Sequence, residues 1–132
     1  MKHQFLSDSW FDEARKIRDS FGKIDLPEKL VGVIVNMIVK GGPEGDKMIH
    51  FTEGRFGKDH HQDSKAALTL PYDICYKALL CNDTKAALKG FVTRKIRVKG
   101  NMGEIISLAS IKAEGDFEAL RVRMCEMTAP VV

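Results

Sequence analysis

The feature that most constrains the fold is an apolar run, Val31-Gly-Val-Ile-Val-Asn-Met-Ile-Val39. β-Branched residues make up much of it, and they favour strands because their side chains pack well on a pleated surface. Both alternating faces of the run are almost entirely apolar, which is typical of a strand that is covered on both sides. We therefore predict a central strand over Val31–Val39, around which the other elements are arranged.

Four further strands are predicted from turns and from alternation. The glycine-rich turn Gly41–Asp46 leads to a second strand near Lys47–Glu53, and Arg55–Lys58 forms a short third strand. Alternating apolar residues near 65–70 indicate a fourth strand with one buried face. Residues Val92–Lys99 alternate as well and predict a fifth strand, whose outer face carries Thr93, Lys95, Arg97 and Lys99.

Helical spacing fills the remaining chain. Ser7 is a suitable N-cap for a helix over 7–22, which places Trp10, Ala14, Ile17 and Phe21 on one stripe. We expect this stripe to pack on the sheet, although an apolar stripe of this kind would also suit a membrane surface. The other predicted helices run from Pro71 to about Leu80, from about Asp83 to Lys89, onward from Gly100-Asn-Met-Gly103, and near 116–127.

Length and composition favour one α+β domain over residues 1–132. The 132 residues fit one hydrophobic core, whereas two cores would each be small. No run of 18 apolar residues is present, so we expect no membrane-spanning helix. The first residues contain no apolar stretch long enough for a secretory signal, and we therefore expect a cytoplasmic protein.

The three cysteines favour free thiols. Cys75, Cys81 and Cys125 are odd in number, widely spaced and surrounded by apolar residues. No Cys-x-x-Cys pair is present, so the cysteines do not suggest a zinc site. We predict that all three are reduced and that no two of them lie at disulfide geometry.

Residues that could carry catalysis are few. The loop Asp59-His-His-Gln-Asp63 could hold a metal ion, but a solvated loop is the simpler interpretation. Tyr72 and Asp73 lie close to Cys75 in the chain, yet helical spacing separates them too far for a nucleophile and its base. No nucleotide-binding or hydrolase motif is present. We therefore predict no catalytic residues, no metal and no cofactor.

Positive charge is concentrated in one segment of a chain whose net charge is +3. Between Lys85 and Lys99 lie six basic residues and no acidic one. The simplest interpretation is a solvated sheet face, but Lys95, Arg97 and Lys99 could contact anionic headgroups or a membrane surface. Nucleic acid is disfavoured: Gly100-Asn-Met-Gly103 has the Gly-x-x-Gly spacing of KH domains, but that loop joins two helices and here follows a predicted strand.

The stretch Thr93–Leu108, a basic strand that leads through Gly-Asn-Met into an apolar helix, resembles the signature of the sterol carrier protein type 2 family. Leu68–Leu80 is similar to the strand that enters a helix in that family, and Thr84–Phe91 is similar to its next short helix. The resemblance extends from about Val31 to Ile111. The predicted C-terminal helix at 116–127 lies beyond it.

This resemblance implies a five-stranded, mainly antiparallel sheet with helices on one face, enclosing an apolar cavity. Such a cavity would hold a sterol, fatty acid, acyl-CoA or phospholipid without catalysis. We expect the ligand to be lined by apolar residues of the inner strands and the later helices: Val33, Val35, Ile49, Phe51, Phe91, Met102, Ile105, Ile106, Phe117 and Leu120. The alternative is a structural or regulatory module with a closed core, which could form a homodimer.

A cavity of that kind has an energetic consequence. An empty void of about 300 Å³ would cost about 7 kcal/mol. This is comparable with the whole stability of a small domain, about 5–15 kcal/mol. A large tunnel must therefore be occupied, hydrated or collapsed in the ligand-free protein, and the sequence does not distinguish these states.

Overall fold

The computed structural model describes residues 2–23, 28, 31–52, 55–109 and 115–131, without the side chains of 107–109. Two positions used above, Glu53 and Ile111, lie outside the described residues. The elements are α1 (Asp8–Ser20), β1 (Ile34–Gly42), β2 (Gly45–Thr52), β3 (Arg55–Lys58), β4 (Ala66–Pro71), α2 (Tyr72–Cys75) continuing directly into a π-helical turn (Tyr76–Leu80), α3 (Thr84–Val92), β5 (Arg97–Gly100), α4 (Met102–Ala109) and α5 (Gly115–Glu126).

The five strands form one sheet in the order β3-β2-β1-β4-β5. Strand β1 is antiparallel to β2 and parallel to β4, while the β2–β3 and β4–β5 pairs are antiparallel. The predicted five-stranded, mainly antiparallel sheet is therefore confirmed. The apolar run that predicted a central strand contributes β1, which lies in the middle of the sheet although it begins and ends about three residues later than expected.

The two faces of the sheet are covered unequally. On the helix side Val35, Met37 and Val39 of β1 are fully buried, beneath α2 and α4. On the other side β1 is half-buried, and the Asn36 side chain there exchanges two hydrogen bonds with the backbone of His61. The expectation that this strand is covered on both sides therefore holds fully for one face and in part for the other.

The N-terminal segment, α1, α5 and the chain beyond α5 pack together, and we call this region (residues 3–20 and 115–129) the terminal clasp. Its backbone is joined by a parallel bridge between His3 and Thr128. The Trp10 indole Nε1 donates a 2.7 Å hydrogen bond to Thr128 Oγ1, and the Tyr72 hydroxyl donates to the Phe5 carbonyl at 2.6 Å. The apolar stripe of α1 is buried against α5 and β3, as the packing interpretation expects.

The prediction for the fifth strand is wrong at its start. Helix α3 continues to Val92, and β5 begins at Arg97, so Lys95 lies in the connecting turn. The reason is a contact at Gly90, where a Cβ atom would lie 2.6 Å from the Ile96 Cδ1. The missing side chain lets Ile96 pack on α3, and the Ile96 amide also donates to the Gly90 carbonyl at 3.0 Å. The turn is therefore held against the helix and cannot extend as a strand.

The loop before α4 explains the Gly-Asn-Met sequence. Gly100 has a φ of +87° and its backbone is packed against the Lys65 carbonyl, where a side chain would clash. The Asn101 side-chain oxygen accepts a 2.9 Å hydrogen bond from the Gly103 amide, so it caps the first turn of α4. Strand β5 leads into this loop, which is unlike the helix-to-helix loop of a KH domain.

Candidate functional site

An apolar cavity of about 60 Å³ lies between β4, the π-helical turn, α3 and α4. Its walls are mainly aliphatic and aromatic, and the polar residues that line it are Asn82 and Thr84. The largest side chains facing it are Leu68, Leu70, Leu79, Phe91, Ile96 and Ile105. A space of this size and polarity suits part of a hydrocarbon chain better than a charged or strongly polar ligand.

Local sequence sets the walls of this cavity. Alternation along β4 directs Leu68 and Leu70 to the helix side of the sheet, where both are buried. Asp83 caps α3 by accepting a 3.0 Å hydrogen bond from the Ala86 amide, which fixes where this helix begins. The contact between Gly90 and Ile96 then closes the far end of α3 over the sheet.

Four large apolar side chains on α3 and α4 are exposed, and we call them the apolar rim. The exposed fraction is 66% for Leu88 and 74% for Val92 on α3, and 51% for Met102 and 59% for Ile106 on α4. Among the described residues, α3 contributes Thr84, Ala87 and Phe91 to the cavity wall, and α4 contributes Ile105. Each helix also contributes two residues to the rim. Grouped exposed apolar residues beside a cavity mark a surface that contacts a ligand, a membrane or another protein.

The structure distributes the ten predicted ligand-lining residues over four environments. Phe91 and Ile105 line the 60 Å³ cavity, whereas Met102 and Ile106 lie on the apolar rim. Phe117 is half-buried on α5. The remaining residues are buried in the hydrophobic core: Val33, Val35, Ile49, Phe51 and Leu120.

Several cavity residues were not singled out from the sequence. Leu68 and Leu70 were assigned to the buried face of a strand, and Ile96 to the inner face of another, without a link to a site. Leu79 belongs to the π-helical turn, whose wider backbone a helical spacing pattern does not reveal. The pairing register of the two strands is the feature that could have linked these strand residues to the site. Leu68 on β4 pairs with Val98 on β5, the strand beside the cavity.

The predicted basic contacts lie away from this cavity. Lys95, Arg97 and Lys99 are all exposed. Arg97 pairs with Thr69 and Lys99 with Ala67, so both lie on the sheet face opposite the helices. Any contact that they make with an anionic surface therefore uses the other side of the sheet.

The prediction about the cysteines is confirmed, because all three thiols are free and no two of them lie at disulfide geometry. The Sγ atoms of Cys81 and Cys125 are nevertheless near each other, 3.9 Å apart, compared with about 2 Å in a disulfide bond. Cys81 follows the π-helical turn and Cys125 lies on α5, so the pair joins elements that are far apart in sequence. Cys75 is different because it is fully buried, which raises its pKa to about 12.

The histidine loop is held by backbone contacts. His60 Nε2 lies 3.2 Å from the Met37 carbonyl oxygen, and the Asp63 amide donates to His61 Nδ1 at 3.1 Å. Among the described residues, no group of three or more His, Cys, Asp or Glu side chains is placed to hold a metal ion. Within the same part of the chain, no helix has the length and apolarity needed to cross a bilayer.

Comparison with known proteins gives similarity by structure and not by sequence. No protein-family model matches the chain, and no curated protein matches its sequence. Sterol carrier protein 2 like 2 of Aedes aegypti superposes with a TM-score of 0.56 at 13% identity, covering 79% of this chain and 97% of that one. Domain 2 of the Helicoverpa armigera sterol carrier protein gives 0.51 at 16% identity and covers 99% of both chains.

A third structure, palmitated SCP2L2 of Aedes aegypti, gives a TM-score of 0.50 at 16% identity and covers 79% of this chain and 92% of that one. At such identities the likeness concerns the arrangement of helices and strands. The chain therefore has the fold of a sterol carrier protein 2 domain.

Proposed function

We propose that this protein binds a lipid-like ligand, such as a fatty acid, acyl-CoA, sterol or phospholipid, between the sheet and helices α3 and α4. The observation that carries the proposal is the apolar cavity beneath α3 and α4 together with the apolar rim outside it. Both helices present apolar residues toward the cavity and toward the rim. A hydrocarbon chain could therefore contact apolar side chains whether it lies beneath the helices or between them. The palmitated structure with the same fold supports an acyl chain as the ligand class.

Binding requires movement in this region. The cavity measures about 60 Å³, whereas sites for ligands of this size measure about 300 Å³ or more. An empty site of that volume would be costly, so a collapsed ligand-free state is the stable one. We propose that α3 and α4 separate to admit the ligand, and that the apolar rim then covers part of it.

The proposed role is non-catalytic. The polar residues that line the cavity are Asn82 and Thr84, whose side chains supply neither a strong base nor an activated nucleophile. These groups suit a hydrogen bond to the carboxyl, ester or hydroxyl end of a lipid. Binding and possible transfer of the ligand are therefore the activities that the site supports.

A cavity-filling variant tests the proposal. Ala87 lines the cavity, and Ala87→Phe places a ring in the space that an acyl chain would enter. We expect wild-type protein to bind a fluorescent fatty acid one-to-one, and Ala87→Phe to weaken this binding at least tenfold. Ala119→Phe makes the same change at an exposed helical position of α5 and should leave the affinity unchanged.

The competing function is a closed structural or regulatory module, in which a second copy covers the apolar rim. Sedimentation velocity distinguishes the two. Saturable binding of fatty acids, acyl-CoAs, sterols or phospholipids by a monomer supports the lipid site. A stable dimer that dissociates on Leu88→Ser, with no saturable binding of any of these lipids, would replace our proposal with the structural module.

We also propose that the exposed basic residues Lys95, Arg97 and Lys99 contact an anionic membrane during transfer. Each is expected to contribute about 1 kcal/mol near such a surface, so replacing all three by Gln should weaken vesicle binding on the order of 100-fold. The matched control replaces the exposed Lys16, Lys77 and Arg123 by Gln, which removes the same charge elsewhere. Equal losses of vesicle affinity in both variants would show that net charge alone, and not the position of these residues, determines vesicle binding.

A further inference from the structure

A second groove, of about 320 Å³, lies at the other side of the molecule, between α1 and the edge strand β3. Four basic residues line it, Arg15, Arg18, Arg55 and Lys58, against one acidic residue, Asp12. It shares no lining residue with the cavity beneath α3 and α4. A concave site with this excess of positive charge attracts anions.

The four basic residues are not equivalent. Arg15 lies 3.5 Å from an Asp12 oxygen, and Lys58 lies 3.0 Å from an Asp8 oxygen, so both have a carboxylate partner. Arg18 and Arg55 form no ion pair with any carboxylate among the described residues. Among the described residues, the groove therefore contains two arginines that have no carboxylate within ion-pair distance.

Arg18 is also held in place and incompletely satisfied. Its Nη1 donates a 2.9 Å hydrogen bond to the Gly22 carbonyl, which fixes the guanidinium at the end of α1. Its Nε is shielded from solvent and finds no acceptor among the described residues. Burial and the charge of Arg55 lower the pKa of Arg18, and the charge of Asp19 opposes this shift in part. A buried donor without an acceptor is costly, and a bound anion would satisfy it.

The floor of the groove is apolar. Phe11, Ala14, Phe56 and Met124 line it beside the charged residues. The Lys58 ammonium lies 5.8 Å from the centre of the Phe11 ring, so a cationic and an aromatic side chain of the groove are in contact. An inorganic ion would leave this apolar surface unused, whereas an organic anion would cover it.

We propose that this groove binds a phosphate monoester of a small apolar or aromatic group, with the phosphate between Arg18 and Arg55 and the organic part on Phe11 and Phe56. Arginine is suited to this role because its planar fork can donate two hydrogen bonds to one phosphate. A dianion neutralises both guanidinium groups, which a single carboxylate does not. The proposal does not depend on lipid binding beneath α3 and α4.

Phenyl phosphate is the probe that tests it, by calorimetric titration and by mapping of backbone amide shifts in the wild-type protein. We expect saturable binding that weakens as salt is raised, with shifts confined to α1 and β3. Arg18→Gln with Arg55→Gln should weaken binding at least tenfold. The matched control, Lys77→Gln with Lys89→Gln, removes equal charge at exposed positions outside the groove and should change binding by less than twofold.

Two further titrations, with inorganic phosphate and with phosphatidic acid vesicles, identify the source of the phosphate group. Inorganic phosphate should bind at least tenfold more weakly than phenyl phosphate, because it leaves Phe11 and Phe56 uncovered. Vesicles with phosphatidic acid present the same group at a membrane, and competition with phenyl phosphate would assign the ligand to a lipid headgroup. Absence of saturable binding, shifts outside the groove, or equal loss in the double variant and its control would overturn the proposal. Fatty acid binding, measured in the same double variant, should be unchanged.

Discussion

The terminal clasp and the region of α3 and α4 each contain a helix that packs on the sheet, α1 on β3 and α4 on β1, β4 and β5, yet the two regions are closed to different degrees. In the clasp, Phe5, Leu6 and Trp10 are at most 1% exposed, and the polar atoms of Trp10 and Thr128 bond each other. In α3 and α4, four large apolar side chains are more than half exposed beside a small cavity. The contrast indicates that the clasp holds the fold, whereas α3 and α4 are the elements able to open.

The largest expected effect of a single substitution is in the clasp. Trp10→Ala removes a fully buried indole that packs edge-on to Phe5 and Phe56 at 5.1 and 5.5 Å between ring centres. We expect the free energy of unfolding to fall by about 3–5 kcal/mol. Urea melts measure this, with Val92→Ala on the apolar rim as the control, which should change stability by no more than about 0.5 kcal/mol.

A second pair of substitutions compares the two regions at equal burial. Leu120 on α5 and Ile105 on α4 are each 2% exposed, but only Ile105 is among the residues that line the 60 Å³ cavity. Leu120→Ala should cost about 2–5 kcal/mol, as in a packed core. Ile105→Ala should cost less, about 1 kcal/mol, because one side of this residue already faces empty space.

Denaturant melts of the two variants, paired with fatty acid titrations, decide the comparison. Ile105→Ala should change lipid affinity while Leu120→Ala leaves it unaltered. A large stability loss for Ile105→Ala without a change in affinity would place this residue in the core and remove it from the site.

The hydrogen bond that closes the clasp predicts a smaller effect. Thr128 is 1% exposed, and its hydroxyl accepts from the Trp10 indole while donating to the Met124 carbonyl at 2.6 Å. Thr128→Val keeps the shape but leaves the indole donor buried and unpaired, which should cost about 1–3 kcal/mol. Thr128→Ser retains the hydroxyl, so its melting curve should lie closer to wild type. The prediction fails if Val and Ser are equally tolerated.

The smallest expected effect concerns the thiols of Cys81, which follows the π-helical turn, and Cys125 on α5. Mild oxidation with diamide should join Cys81 to Cys125, because their Sγ atoms are already 3.9 Å apart. Thiol counts after unfolding should then fall from three to one. Cys75 should remain as the free thiol, since burial raises its pKa to about 12 and suppresses the reactive thiolate. Three free thiols after oxidation would show that the backbone holds the pair apart.

The elements that the sequence predicted well are those governed by local pattern. The β-branched, apolar run that contains Val35, Met37 and Val39 predicts a strand from its own composition, and it appears as β1. The stripe through Trp10 and Ile17 predicts one buried helix face for the same reason. Residue periods of two and about 3.6 follow from backbone geometry, so they are readable without tertiary structure.

The candidate site was predicted less completely, because its residues meet through contacts between distant elements. Met102 and Ile105 share one helix, yet one is 51% exposed and the other 2% exposed. Their different surroundings depend on where α4 sits over β4, and this position depends on the Gly100 loop packed against Lys65. Periodicity alone treats all apolar positions of a short helix similarly and does not distinguish a cavity wall from a core or a rim.

By itself the sequence determined the α+β class, the central strand, the buried stripe of α1 and the turn into α4, since each follows from the chemistry of neighbouring residues. Only the tertiary structure decided that α3 runs on to Val92, that Cys81 meets Cys125, and that Arg18 and Arg55 line one groove. The longer α3 depends on the packing of Ile96 against Gly90, which no residue period reveals. The cysteine and arginine pairs depend on the distance between segments remote in the chain, and packing of the whole core sets that distance.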